Sequence, residues 1–180
     1  MSTLRPAPAF GKSVIWWTCL SLGEIELKER RSSHRTQWAA QFAVASELCK
    51  RDCQVALTLG NNPMVDLMVR SPRGRSFHVD VKGAYKPNFW VVREQEPQEN
   101  LFYVFAFVPD EGKNRFFVLT QSQVNEQIRK EKEATARRAT EQGRGTEKAG
   151  FFPGVSWRFV QAHEDAWRVL PDLALLPQSK

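Results

Sequence analysis

Two short segments of alternating apolar and polar residues, separated by a turn, constrain the fold most strongly. The first is Val65–Arg70, the second is Phe77–Lys82, and Ser71–Arg75 between them contains the Ser, Pro and Gly that favour turns. Side chains alternate between the two faces of a strand, so the apolar residues of each segment share one face. The pattern predicts a β-hairpin in which Asp66 and Asp80 lie close together on neighbouring strands.

The second segment carries its polar residues on one face. His78, Asp80 and Lys82 occupy alternate positions and are expected to project from the same side of the strand. Two carboxylates on adjacent strands can hold a divalent cation that prefers oxygen ligands. The same spacing of Asp80 and Lys82 also occurs as an ordinary ion pair on an exposed strand. A histidine in a strand, such as His78, is more often structural than catalytic.

A helix and a strand are expected before the hairpin. Apolar residues recur at steps of three and four from about Arg35 to Arg51, which indicates an amphipathic helix. Gln41 falls near the middle of the apolar stripe, and Glu47 falls toward its edge. The run Gln54–Leu59 predicts a strand, so the element order is helix, strand, strand, strand. The predicted buried stripe consists of Trp38, Phe42, Ala45, Leu48 and Cys49.

Two strands and a polar helix are expected after the hairpin. Leu101–Val108 is apolar on both faces, which is typical of a central strand, and Arg115–Leu119 predicts the next strand. A largely polar helix is expected from about Ser122 to Arg138. It is followed by a mobile linker at Gln142–Gly145.

Length and composition favour one domain with an additional N-terminal segment. The chain of 180 residues is long enough for one core. The Pro-rich and then charged residues 1–33 are interpreted as an appendage to a domain spanning 34–180, with the polar helix and linker near 121–150. The apolar patch Val14–Leu22 is too short to span a bilayer, and the odd count of three cysteines favours a reducing compartment. A cytoplasmic protein without membrane contact is expected.

The charge balance suits a polyanionic partner. Lysine and arginine number 26 against 20 aspartates and glutamates, a net charge of +6. The candidate phosphate contacts are Arg70, Arg73 and Arg75 around the predicted turn, and Lys86 after it. A solvated basic loop accounts for these residues equally well.

The segment Trp38–Tyr85 resembles the PD-(D/E)xK nuclease superfamily, in particular its Holliday-junction-resolvase-like and intron-endonuclease-like members. The resemblance rests on VASELCKRDCQVALTLGNNPMVDLMV and FHVDVKG. It implies a restriction-endonuclease-like α/β fold, with a mixed β-sheet flanked by α-helices and an αβββαβ core. It also implies Asp66 and Asp80 as ligands of Mg²⁺ or Mn²⁺, the backbone carbonyl of Val81 as a further ligand, and Lys82 as the group that orients or activates the attacking water.

The resemblance further implies an acid on the preceding helix, where this chain has Gln41. The amide oxygen of Gln41 can ligate a metal or a metal-bound water but brings no charge, so Gln41 is a candidate catalytic residue. It is equally compatible with a core residue whose hydrogen bonds are satisfied. Glu47 lies six residues later at a less favourable angle, and an exposed position beside Lys50 and Arg51 is the commoner outcome for it.

The expected function is that of a metal-dependent endonuclease that hydrolyses DNA phosphodiester bonds. The signatures of P-loop, dinucleotide-binding, nucleophile-elbow and zinc-protease sites are absent from the sequence. The alternatives are an inactive nuclease-fold module that binds nucleic acid or a protein partner, and an interaction protein without a nucleic-acid role. A homodimer is compatible with cleavage of both strands. Trp90 and Trp157 with Arg158 are candidates for stacking on bases, although packed aromatic side chains are commoner.

Overall fold

The computed structural model describes residues 31–58, 65–143 and 150–173. The expectations for Val14–Leu22, for nearly all of the appendage and for the second half of the linker concern residues outside these ranges. None of the described helices combines the length and the apolar character that a membrane span requires. The elements in chain order are α1 (Ser33–Cys49), β1 (Gln54–Leu57), β2 (Leu67–Arg70), β3 (Ser76–Ala84), β4 (Phe89–Val91), β5 (Leu101–Phe107), β6 (Arg115–Thr120), α2 (Gln121–Glu141), β7 (Gly154–Ser156) and α3 (Trp157–Val160).

A mixed sheet of five strands forms the centre of the fold, in the order β1-β2-β3-β5-β6. β1, β2 and β3 are antiparallel neighbours, β3 and β5 run parallel, and β5 and β6 are antiparallel. β4 and β7 pair in a separate two-stranded sheet. The expected α/β class with a mixed sheet is confirmed, and so is the central position of β5, which is buried along most of its length.

The predicted hairpin is formed by β2 and β3. Leu67 pairs with Val79, and continuing this register by one residue places Asp66 opposite Asp80. Hydrogen bonds within residues 71–75 close the turn. Gly74 in this turn has φ +90°, a conformation that glycine adopts without the strain of a side chain.

α1 packs on one face of this sheet with a stripe that contains the predicted Ala45 and Leu48 but not the other three predicted residues. Its buried residues are Thr36, Ala40, Val44, Ala45 and Leu48. Phe42 is 55% exposed, Cys49 is exposed, and the half-buried Trp38 stacks on Phe42 rather than on the sheet. The reason is the close approach of α1 to β3, because a Cβ atom added at Gly83 would lie only 2.8 Å from the Cβ atom of Ala40. Small residues therefore occupy the contact, and the large aromatic side chains face outward.

The opposite face of the sheet packs against α2. Val124 and Ile128 of α2 are buried against Tyr103, Phe105, Phe117 and Leu119. Trp90 and Trp157 belong to the same core, with ring centroids 5.7 Å apart and nearly parallel rings. The interpretation of these two residues as packed aromatics is confirmed, and the buried Trp90 has no surface to offer a nucleobase.

The connection between β3 and β5 differs from the αβββαβ order. It contains β4 and an extended segment but no helix, and the long helix α2 follows β6 instead. The polar run from Arg93 to Asn100 has no apolar residue that could form a helix face against the sheet. Two buried side chains of α2 hold this segment, since Asn125 and Gln121 hydrogen-bond to its backbone at residues 95, 96 and 98.

The close approach of α1 to β3 makes Gly83→Ala a test of the fold. We expect the added methyl group to lower the free energy of unfolding by about 1–3 kcal/mol, because it overlaps Ala40 and the backbone carbonyl of Thr36. Urea denaturation measures the change. Gly150→Ala is the matched control, because its added Cβ atom meets nothing within 4 Å. Equal stability of the two variants would show that α1 does not lie this close to β3.

Candidate active site

Asp66 and Asp80 meet where β2 and β3 begin to separate. Asp66 precedes β2 and Asp80 lies within β3, at positions that the hairpin register places opposite each other. Asp80 is buried, with 4% of its surface exposed. Burial and, to a smaller extent, the neighbouring charge of Asp66 raise the pKa of Asp80 to about 6, although the Lys82 ammonium opposes this shift. The two carboxylates therefore interact directly with each other.

Lys82 joins this pair from the same strand face. Its Nζ atom lies 2.6 Å from Oδ1 of Asp80, and its side chain is 32% exposed. Residues two apart on a strand project to the same side, which places the ammonium over the carboxylate. The structure thus brings Asp66, Asp80 and Lys82 together, with Asp66 and Lys82 half-buried and Asp80 buried.

The carboxylate of Asp66 is held by donors from two elements. Its Oδ2 atom accepts a hydrogen bond from the backbone N–H of Val81 at 2.8 Å and a longer one from Nε2 of Gln37 at 3.3 Å. Its Oδ1 atom accepts a hydrogen bond from Nε2 of Gln41 at 2.5 Å. The side chain that the sequence placed on the helix near the site, Gln41, therefore contacts Asp66 directly.

Gln37 is a site residue that the sequence reasoning missed. Its Nε2 atom donates to the carbonyl of Val81 at 2.6 Å, and its Oε1 atom accepts from the N–H of Gly83 at 3.2 Å. The side-chain amide thus bonds β3 as a peptide group of a neighbouring strand would. The sequence feature that could have indicated this role is the spacing of Gln37 and Gln41, which lie one helical turn apart on the same face of the helix.

The oxygen atoms at this site are of the chemical type that a divalent cation such as Mg²⁺ binds. Asp66 and Asp80 supply carboxylate oxygens, the ligands that Mg²⁺ prefers, and their mutual repulsion is relieved by a cation. The carbonyl of Val81, predicted as a further ligand, faces the same region but accepts a hydrogen bond from Gln37. Within the described ranges, no group of three or more His, Cys, Asp or Glu residues is placed to hold a metal ion.

Glu47 lies apart from these residues. Its carboxylate forms ion pairs with Lys50 at 2.8 Å and with Arg51 at 2.7 Å. Partial burial opposes the shift, but hydrogen bonds from the two cations leave the pKa of Glu47 below its usual value. The predicted position of Glu47 beside Lys50 and Arg51 is confirmed, but Glu47 is half-buried rather than exposed. Gln41 takes the helix position next to Asp66.

The predicted phosphate contacts fall into two places. The first place is the hairpin turn, which carries Arg70, Arg73 and Arg75. Arg75 lies roughly 17 Å from Asp80 along the strand direction, because each residue of a strand rises about 3.3 Å. Arg75 lies 3.6 Å from Asp172. Lys86 instead follows the other end of β3, where its Nζ atom lies 5.5 Å from the ring centroid of Tyr85.

Tyr103 is a further polar group beside Asp80 that the sequence reasoning assigned only to the central strand. It pairs with Asp80 across β3 and β5 and is completely buried. Its hydroxyl group has no hydrogen-bond partner among the described residues. Burial, followed by the charge of Asp80, raises the pKa of Tyr103. His78 lies two residues before Asp80 and is half-buried.

Comparison of the chain with protein-family models, with curated proteins and with solved structures yields no significant match. The functional interpretation therefore depends on the geometry of Asp66, Asp80 and Lys82 and on the general chemistry of such groups.

The raised pKa of Asp80 predicts a pH-dependent stability. The folded state binds the proton of the Asp80 carboxyl group more tightly than the unfolded state does. The stabilisation of the folded state by this proton is therefore complete below the ordinary pKa of 3.8 and is lost as the pH rises toward about 6. Asp80→Asn stays neutral throughout. Between pH 4 and pH 7, we expect the free energy of unfolding of Asp80→Asn to rise relative to that of the parent by up to about 3 kcal/mol.

Urea denaturation in EDTA at a series of pH values measures this difference. Asp52→Asn removes an exposed carboxylate and is the matched control. A difference between Asp80→Asn and the parent that stays constant with pH would contradict the buried, charge-coupled environment of Asp80.

Proposed function

We propose that this chain is a metal-dependent endonuclease that hydrolyses DNA phosphodiester bonds with Mg²⁺ or Mn²⁺. The observation that carries the proposal is the meeting of Asp66 and Asp80 at the fork of β2 and β3, with the Lys82 ammonium 2.6 Å from Asp80. Two adjacent carboxylates with an accessible amine suit a phosphate group that must be bound and then attacked by water.

Asp66 and Asp80 would hold the cation, with the Val81 carbonyl as a further oxygen near them. A bound divalent cation neutralises charge on a nonbridging phosphate oxygen and lowers the pKa of a coordinated water. The residues of the chain set the position of the carboxylates beforehand. Gln41 and the Val81 N–H fix Asp66, so that its orientation does not depend on solvent.

Lys82 is the group that faces the substrate. Its partly exposed ammonium can orient the attacking water and stabilise the negative charge that develops on the phosphorus. Such a charge-stabilising contact is most effective where bulk water is excluded, as it is around the buried Asp80. Asp80 also keeps Lys82 directed at the site.

A plasmid-nicking assay with Mg²⁺ or Mn²⁺ tests the proposal. We expect Asp80→Ala and Lys82→Ala each to lower the nicking rate by at least about 100-fold, because each removes a charge that acts on the transition state. Glu47→Ala is the control, since Glu47 lies on α1 but pairs with Lys50 and Arg51. Equal rates in the parent, Asp80→Ala and Lys82→Ala would reject these roles.

A second candidate function is a nuclease-fold module that binds nucleic acid or a protein partner without cleaving nucleic acid. Gln41 favours it, because the helix places an uncharged amide beside Asp66. Among the described residues, the site then has two carboxylates, those of Asp66 and Asp80. This candidate predicts salt-sensitive DNA binding without nicking, and no change of the parent's melting temperature when Mg²⁺ is added.

Gln41→Glu separates the two functions. The new carboxylate would face Asp66 where Gln41 now donates a hydrogen bond, so we expect about 1–3 kcal/mol of destabilisation in EDTA. If the site takes a divalent cation, Mn²⁺ should raise the melting temperature of Gln41→Glu more than that of the parent. Gln41→Ala, which removes the amide without adding charge, is the control. An identical response of both variants to Mn²⁺ would favour the non-catalytic module.

A further inference from the structure

A row of aromatic side chains, two exposed and one half-buried, runs along the outer face of α1. His34, Trp38 and Phe42 follow one another at four-residue steps, and we call them the α1 aromatic row. The rings of Trp38 and Phe42 stack with centroids 5.5 Å apart and planes 25° apart. Trp38 donates a hydrogen bond from Nε1 to Nε2 of His34 at 3.0 Å, and Phe42 is 55% exposed. The row therefore offers a partly ordered apolar surface to a partner.

The α1 aromatic row borders the candidate active site. Gln37 and Gln41, which contact Asp66, are the residues immediately before Trp38 and Phe42. Consecutive residues differ by about 100° around a helix, so the row is the next stripe outward from the glutamines. The row is therefore one helical stripe away from the two side chains that donate hydrogen bonds to Asp66.

The charge around the row suits a nucleic acid. α1 carries no aspartate or glutamate from Ser33 to Ser46. Arg35 is exposed and forms no ion pair within the part of the chain that the structure describes. Backbone phosphates approaching this face would therefore meet a cation and no nearby carboxylate on the helix.

We propose that the α1 aromatic row is a stacking platform for unpaired nucleobases beside the phosphodiester to be cleaved. This inference rests on the proposed nuclease function and names its substrate class, which is single-stranded DNA or an unpaired strand end rather than a continuous duplex. Bases in a duplex are already stacked on each other, whereas unpaired bases expose their faces to aromatic side chains. Trp90 is enclosed in the core and cannot take this role.

Fluorescence anisotropy in EDTA tests the proposal without cleavage. The probes are labelled oligothymidine and a labelled hairpin duplex with the same number of nucleotides. We expect the parent to prefer oligothymidine, and Trp38→Ala or Phe42→Ala to weaken that binding by about 5-fold to 100-fold with little effect on the duplex. Phe152→Ala is the matched control, because Phe152 is another exposed phenylalanine, at 65%, on a different part of the chain. Circular dichroism verifies that each variant is folded.

The outcomes separate this inference from the nuclease function. Loss of oligothymidine binding in Trp38→Ala and Phe42→Ala, but not in Phe152→Ala, supports the stacking platform even if the parent shows no nicking. Nicking by the parent with unchanged oligothymidine binding in the folded variants overturns the platform and leaves the nuclease in place. Light scattering without DNA measures whether the parent forms a concentration-dependent dimer. If it does, and Phe42→Ala dissociates that dimer, then the α1 aromatic row binds a second copy of the chain, and this result would also overturn the inference.

Discussion

The contact between α1 and β3 at Gly83 is the constraint on which the candidate site depends. Because Gly83 has no side chain, the backbone of α1 lies against the strand, with Ala40 and the Thr36 carbonyl close to it. At this separation a glutamine side chain is long enough to reach the backbone of β3. Gln37 can therefore donate hydrogen bonds both to the backbone of β3 and to the carboxylate of Asp66. A larger residue at the contact would move the helix outward and withdraw these donors from the carboxylate.

Much of the architecture follows from local sequence patterns. The alternation around Asp66 and Asp80 predicts not only two strands but also which residues share a face, since a strand has a period of two. The turn residues between the segments set the register, and the register brings the two carboxylates together. The uninterrupted apolar run of β5 similarly predicts a strand covered on both sides, as the structure has it.

The features that the sequence does not reveal depend on contacts between distant segments. Large aromatic residues are expected to face the core, but α1 turns Ala40 inward and Phe42 outward. The reason is its close contact with Gly83, which lies in a strand that follows α1 in the sequence. The role of Gln37 also depends on Val81 and Gly83, which belong to another element. The connection after β3 is extended because side chains of α2 satisfy its backbone, and α2 comes later in the chain.

The amide of Gln37 also affects how this protein behaves toward other copies of itself. Where β2 diverges from β3, the backbone groups of Val81 and Gly83 would form an open sheet edge, onto which a foreign strand could add. Gln37 and Asp66 occupy these groups with side chains. These backbone groups of the fork are thereby unavailable for intermolecular β-pairing, although no strand among the described residues pairs with them on that side of β3.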